Sequence, residues 1–192
     1  MRIQVSILCL FFLVAVPIPA WARRTQIKKI AVEMIQKEIV VSFQLDNGFN
    51  RSIKRDIQDG IEKDFYYYVV LNKKYKNWFY EEIAEKTIRY TVKYNTLKKG
   101  YTVRRFEGFN RLERVFDSPE EMRAFISRVE KIRLAPISLL EQGHRYHVWV
   151  KAQMKASHVP LHLDRFLFFI PFLEVDTPWA KSGSLYAPQS VN

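Results

Sequence analysis

The chain has a single cysteine, Cys9, and it lies inside an apolar stretch at the amino terminus. Everything after it is thiol-free, which excludes disulfides, a cysteine nucleophile and thiolate metal sites from that part. Glycine is scarce as well: there are six, too few for phosphate-cradling loops, and no Gly-x-Ser-x-Gly elbow, Walker loop or dinucleotide fingerprint occurs. Nor is there an internal repeat, a low-complexity stretch or a long linker between Arg23 and Thr177, so that span reads as one domain. Common hydrolase and nucleotide-binding signatures are therefore missing.

What is present begins with an address. "MRIQVSILCLFFLVAVPIPAWA" places Arg2 before an apolar run from Ile3 to Val16, then Pro17 and Pro19, then Ala20-Trp21-Ala22. That order is expected of a secretory signal peptide over residues 1–22, cut after Ala22. An uncleaved anchor is the other reading, opposed by the two prolines near the outer end of such a helix. Either way the body is expected outside the cytoplasm. Cys9 sits too early, behind Ser6-Ile7-Leu8, to be a lipoprotein site.

The 170 residues from Arg23 are enough for a real core without covalent staples. Losing Arg2 takes the net charge from +11 to +10, and a chain that is 48% hydrophobic and 15% aromatic is not disordered. "NKKYKNWFY" and "KKGYTVRR" interleave cations with aromatic rings. That mixture suits single-stranded nucleic acid, but an exported protein meets little of it. Anionic lipid head groups are the more available partner, and solvated hairpins are the plain alternative.

Residues 27–36 and 37–46 read as two strands, with Ile39, Val41, Phe43 and Leu45 alternating against Val40, Ser42 and Gln44. Phe49, Ile53 and Ile57 then mark one face of a short helix closed at Gly60. Phe65 to Leu71 is apolar on both faces, Trp78 to Tyr94 reads as one long or bent strand, and Tyr101 to Phe106 returns. Ser118-Pro119-Glu120-Glu121 opens a capped helix over 119–131, with Met122, Phe125, Ile126 and Val129 as its buried stripe. A helical turn from Ser138 to Gly143 and a strand at 146–154 follow. The sum is a β-rich α+β domain over residues 23–179: an antiparallel twisted sheet or sandwich carrying two short amphipathic helices, with 180–192 as a flexible tail.

The signal, the paired-strand start, "YTVKYNTLKKGYTVRRF", "DSPEEM", "LEQGHRYHVWVKA" and "PLHLDRFLFFIPFLEVDTPW", in this order, resemble the bacterial family known as domain of unknown function 4390. The resemblance covers nearly all of the chain after the signal. It implies an exported envelope protein of Gram-negative bacteria, and, because some members are encoded near a membrane sensor kinase, an accessory role in envelope sensing. It brings no catalytic residue with it.

Few residues suggest chemistry. His144 and His147 fall on opposite faces of a strand, and His158, His162 and Asp164 share a face only if Pro160 lets the chain extend. Glu81/Glu82 and Glu120/Glu121 are adjacent pairs, one split across a strand and the other charge for a helix start. No catalytic residue, metal or cofactor is expected. The run Phe166–Leu173 keeps two readings open: a strand buried on both faces, or an exposed edge in which Arg165, Phe169, Phe172 and Trp179 touch lipid or an envelope protein. The function expected is non-enzymatic binding or scaffolding; the alternative is a carrier or sensor of a small apolar ligand or lipid held between sheet and helix.

Overall fold

The computed structural model describes residues 24–76, 78–155 and 173–188. The chain opens with β1 (Gln26–Ile35) and β2 (Glu38–Asp46), an antiparallel hairpin whose second strand buries Ile39, Val41, Phe43 and Leu45. After it comes α1 (Arg51–Gln58), fixed at both ends. Asn50 Oδ1 accepts from the Ile53 N–H at 2.9 Å, and Gly60, at φ +83°, lets the Ile61 N–H turn back onto the Asp56 carbonyl.

A meander of four strands follows: β3 (Lys63–Lys74), β4 (Tyr80–Asn95), β5 (Gly100–Glu107) and β6 (Asn110–Phe116). β3 behaves as its sequence suggests. Phe65, Tyr67, Val69 and Leu71 are sealed in the core, while Tyr66 and Tyr68 on the other face are half-buried. β6 was not foreseen, because its apolar residues Leu112 and Val115 stay exposed on an edge strand.

α2 (Pro119–Ser127) starts at the expected cap, with Ser118 Oγ accepting from the Glu120 and Glu121 N–H groups. It is shorter than expected. At Arg128 the backbone becomes extended and the chain continues as β7 (Arg128–Pro136), so Val129 is buried from a strand and not from the helix. A bulge at Lys131, φ +55°, explains the misreading: it breaks the two-residue period between Val129 and Ile132. A single 3-10 turn, Ile137–Leu139, leads to β8 (Arg145–Lys155).

β9 (Leu173–Asp176), β10 (Ala180–Lys181) and β11 (Leu185–Tyr186) then pair in succession along β8, the last two within the stretch 180–192 expected as a flexible tail, of which residues 189–192 lie outside the described residues. Between them the hydroxyls of Thr177 and Ser182 accept from the Ala152 and Val148 N–H groups, each at 2.9 Å. Side chains complete the ladder where strand pairing lapses.

Two antiparallel sheets result, neither closed into a barrel: β1-β2-β7, and a larger one in the order β10-β8-β3-β4-β5-β6. The small sheet lies across β8, β3 and β4, and α2 covers the part next to β5 and β6. Between the layers Phe43 meets Tyr67 at 5.4 Å, and Phe125 meets Tyr90 and Phe116 at 5.7 and 5.2 Å. The Tyr67 hydroxyl donates to the Ile126 carbonyl at 2.9 Å, giving the buried phenol its partner. The fold is α+β and strand-rich, with two α-helices among the described residues.

Candidate functional site

Alternation along β8 sends Tyr146, Val148, Val150, Ala152 and Met154 into the core and His147, Trp149, Lys151 and Gln153 to the outer face. The register with β3 places His147 beside Asn72 and Trp149 beside Val70. β10 brings Lys181 opposite Trp149, and Tyr80 comes from the start of β4. The outer face thus carries a row of rings: Trp179 to Trp149 at 6.5 Å, Trp149 to Tyr80 at 5.0 Å, and Tyr80 to His147 at 6.3 Å. Lys181 Nζ lies 4.9 Å from the Tyr80 ring centre and donates to its hydroxyl at 2.7 Å, which pulls that phenol below its ordinary value.

His147 is the buried member of the row. Burial, then the charge of Lys181, lowers its imidazole, so the ring is neutral at pH 7. Its Nδ1 faces the Ser182 carbonyl at 3.4 Å, where the neutral tautomer can donate. A fixed, hydrogen-bonded histidine of this kind holds the final segment in place. It has no carboxylate partner among the described residues that would tune it as a base.

At the end of the β3–β4 hairpin lies a cleft of ≈ 840 Å³, lined by Lys74, Tyr75, Lys76 and Phe79 from that hairpin and by His144, Arg145 and Tyr186, where the start of β8 pairs with β11. Among the described residues, its lining contains no carboxylate. Two nearby acids are engaged: Glu141 holds Lys73 at 2.6 Å and faces His144 at 3.7 Å, and Glu81 accepts from the Tyr75 hydroxyl at 2.5 Å. Lys74, Lys76 and Arg145 enter no ion pair among the described residues. Such a surface favours an anionic ligand with an apolar portion.

A family model described as Domain of unknown function (DUF4390) matches residues 22–182, most of the 192-residue chain. The chain belongs to the DUF4390 family. No curated protein and no solved structure matches it. The DUF4390 match spans β1 to β10 and so includes the aromatic row, while Tyr186 of the cleft lies beyond it.

Of the four residues expected to form an exposed contact edge, Trp179 is the one the structure describes: it is 45% exposed and ends the row beside Trp149. Arg165, Phe169 and Phe172 lie outside the described residues, as do His158, His162, Asp164 and the predicted cleavage site at Ala22. His144 and His147 are separated, one at the cleft and one buried under Ser182. Among the described residues, no three His, Asp or Glu side chains converge on a metal-sized site. The cleft was only half visible beforehand. "NKKYKNWFY" displays its hairpin, but nothing in the sequence sets Arg145 and Tyr186 against it.

Proposed function

We propose that this DUF4390 protein is exported to the cell envelope and acts there as a non-enzymatic binding or scaffolding domain, accessory to envelope sensing. Its contact surface is the cationic, aromatic end of the large sheet. The observation that carries this reading is the cleft, whose described lining offers three cations, the rings of Tyr75, Phe79 and Tyr186 and no carboxylate, on the same sheet as the row from Trp179. The signal-like amino terminus supports export. The displaced carboxyls also fit a binding domain: hydrogen bonds from Lys73 and Lys151 hold Glu141 and Asp176 low, as in ordinary ion pairs and not as in poised acids.

The alternative, a carrier of a small apolar ligand between sheet and helix, has less support. That space is occupied by Met122, Phe125 and Ile126 packed on Tyr67 and Tyr90.

The test is expression of the full chain in a Gram-negative host with a photo-crosslinking residue at Trp179 or Tyr186. The expected result is a chain in the periplasmic or membrane fraction beginning at Arg23, with an adduct at either position. A chain retained in the cytosol would overturn export. Absence of any adduct from a folded, exported chain would overturn binding at this surface.

A further inference from the structure

The hairpin that walls the cleft ends in two exposed rings. Trp78 is 92% and Phe79 72% exposed, and the turn is closed by the Tyr75 N–H donating to the Phe79 carbonyl at 2.9 Å. Trp78 sits at φ +66°, a conformation that strains a bulky side chain. Its side chain packs on almost nothing within the protein, so intramolecular contact does not offset that strain. Lys74 and Lys76 flank the turn and Arg145 faces it across the cleft.

Two other hairpins also expose an apolar tip, and they differ in charge. Beside Phe109, Arg105 is bound to Glu107 at 2.6 Å and Arg111 to Glu113 at 2.9 Å. The cleft beside Leu97 is lined by Asp59 and Glu113 as well as Lys93 and Arg104. The Phe109 tip is balanced in charge, and the Leu97 tip, although its turn carries Lys98 and Lys99, has Asp59 and Glu113 in its cleft, whereas among the described residues no carboxylate lines the cleft beneath the Trp78 tip.

We infer that the β3–β4 hairpin is a membrane-docking element for an anionic bilayer surface. Trp78 and Phe79 enter the interfacial layer, and Lys74, Lys76 and Arg145 meet the phosphates of the head groups. A soluble phosphate would use the cations but leave both rings in water. A bilayer interface takes both parts at once, because tryptophan and phenylalanine partition into it while lysine and arginine are drawn to its negative surface. The ladder of β3 with β4 and β8 runs to Lys74, and the tip projects beyond these last paired residues. This rests on the binding surface proposed above and names its partner.

The experiment is sedimentation of the mature chain, Arg23–Asn192, with vesicles of equal parts phosphatidylglycerol and phosphatidylcholine, against vesicles of phosphatidylcholine alone. The mature chain is expected on the anionic vesicles and released by salt. Trp78→Asn with Phe79→Ser is expected to weaken partitioning about tenfold, and Lys74→Glu with Lys76→Glu by at least as much. Asparagine tolerates positive φ, so the turn is retained, and circular dichroism checks the fold. Phe109→Ser is the control and leaves binding unchanged. Equal binding by the tip variants, equal binding to both vesicle types, or none at all overturns the inference. A protein adduct at Tyr186 in cells, with no vesicle binding, overturns lipid docking while the binding reading stands; loss of both removes both.

Discussion

The two ends of β3 use the same residue type for opposite purposes. At its start Lys63, 3% exposed, reaches Asp56 on α1 at 2.6 Å and Glu174 on β9 at 2.5 Å. At its other end Lys73 is tied to Glu141, but Lys74 and Lys76 have no carboxylate partner among the described residues. One end spends its positive charge on closing the fold. The other leaves charge without a carboxylate partner beside exposed rings, where it adds no ion pair to the fold. A lysine's role is thus set by the acids the topology delivers to it.

Lys63→Ala makes the sharpest cut in that comparison. It removes two ion pairs that join α1, β3 and β9 and leaves Asp56 and Glu174 facing each other. A fully buried pair would cost about 3–5 kcal/mol to break; because the partner side chains keep 31% and 21% exposure, about 2 kcal/mol is expected. Urea unfolding of residues 23–192 measures it. Alkaline pH should act in the same direction. Burial pulls the Lys63 ammonium down, but hydrogen bonds and charge from Asp56 and Glu174 outweigh it and leave it raised above 10.5. Its contribution is therefore complete below pH 10.5 and fades as pH climbs through the raised value, a loss the alanine variant should not show. Equal stability of Lys63→Ala and Lys74→Ala would end the distinction between the two ends.

The next effect belongs to the carboxyl-terminal run. Thr177 is 1% exposed and its hydroxyl is the acceptor for the Ala152 N–H. Thr177→Val keeps the shape and strands that donor, at about 1–2 kcal/mol. Ser182→Ala does the same to the Val148 N–H in a slightly more open setting, for about 1 kcal/mol. Hydrogen exchange at Ala152 and Val148 reads both directly. Unchanged protection would mean that these residues merely lie along β8.

Legibility in the sequence followed the strength of local periodicity. β2, β3 and β8 were readable because a two-residue alternation ran unbroken through each, and α1 because Ile53, Ile57 and Gly60 agree on one helical turn and its end. The helix-to-strand change at Arg128 was hidden because Val129 satisfies both the helical stripe and the strand that replaces it, and the bulge at Lys131 erases the contrary signal. β6 buries too little to leave a pattern. The pairing of residues 180–186 depends on the free side of β8, a partner no local window contains. The candidate surface had the same fate: its hairpin was legible as alternating cations and rings, whereas Arg145 is set beside Lys74 by the long-range pairing of β8 with β3, and Tyr186 reaches it through the pairing of β11 with β8.

The smallest effect on stability is expected where the functional effect is largest. Lys74→Ala and Lys76→Ala remove charges without partners, so each should change unfolding free energy by no more than about 0.5 kcal/mol. The sign is informative. If the unmatched cations repel one another across the cleft, with Arg145 opposite, their removal stabilises slightly, and the gain shrinks as salt rises. A marked destabilisation would instead mean that these lysines hold the hairpin in place. They would then match Lys63, and the division between a closing end and a contacting end of β3 would fail.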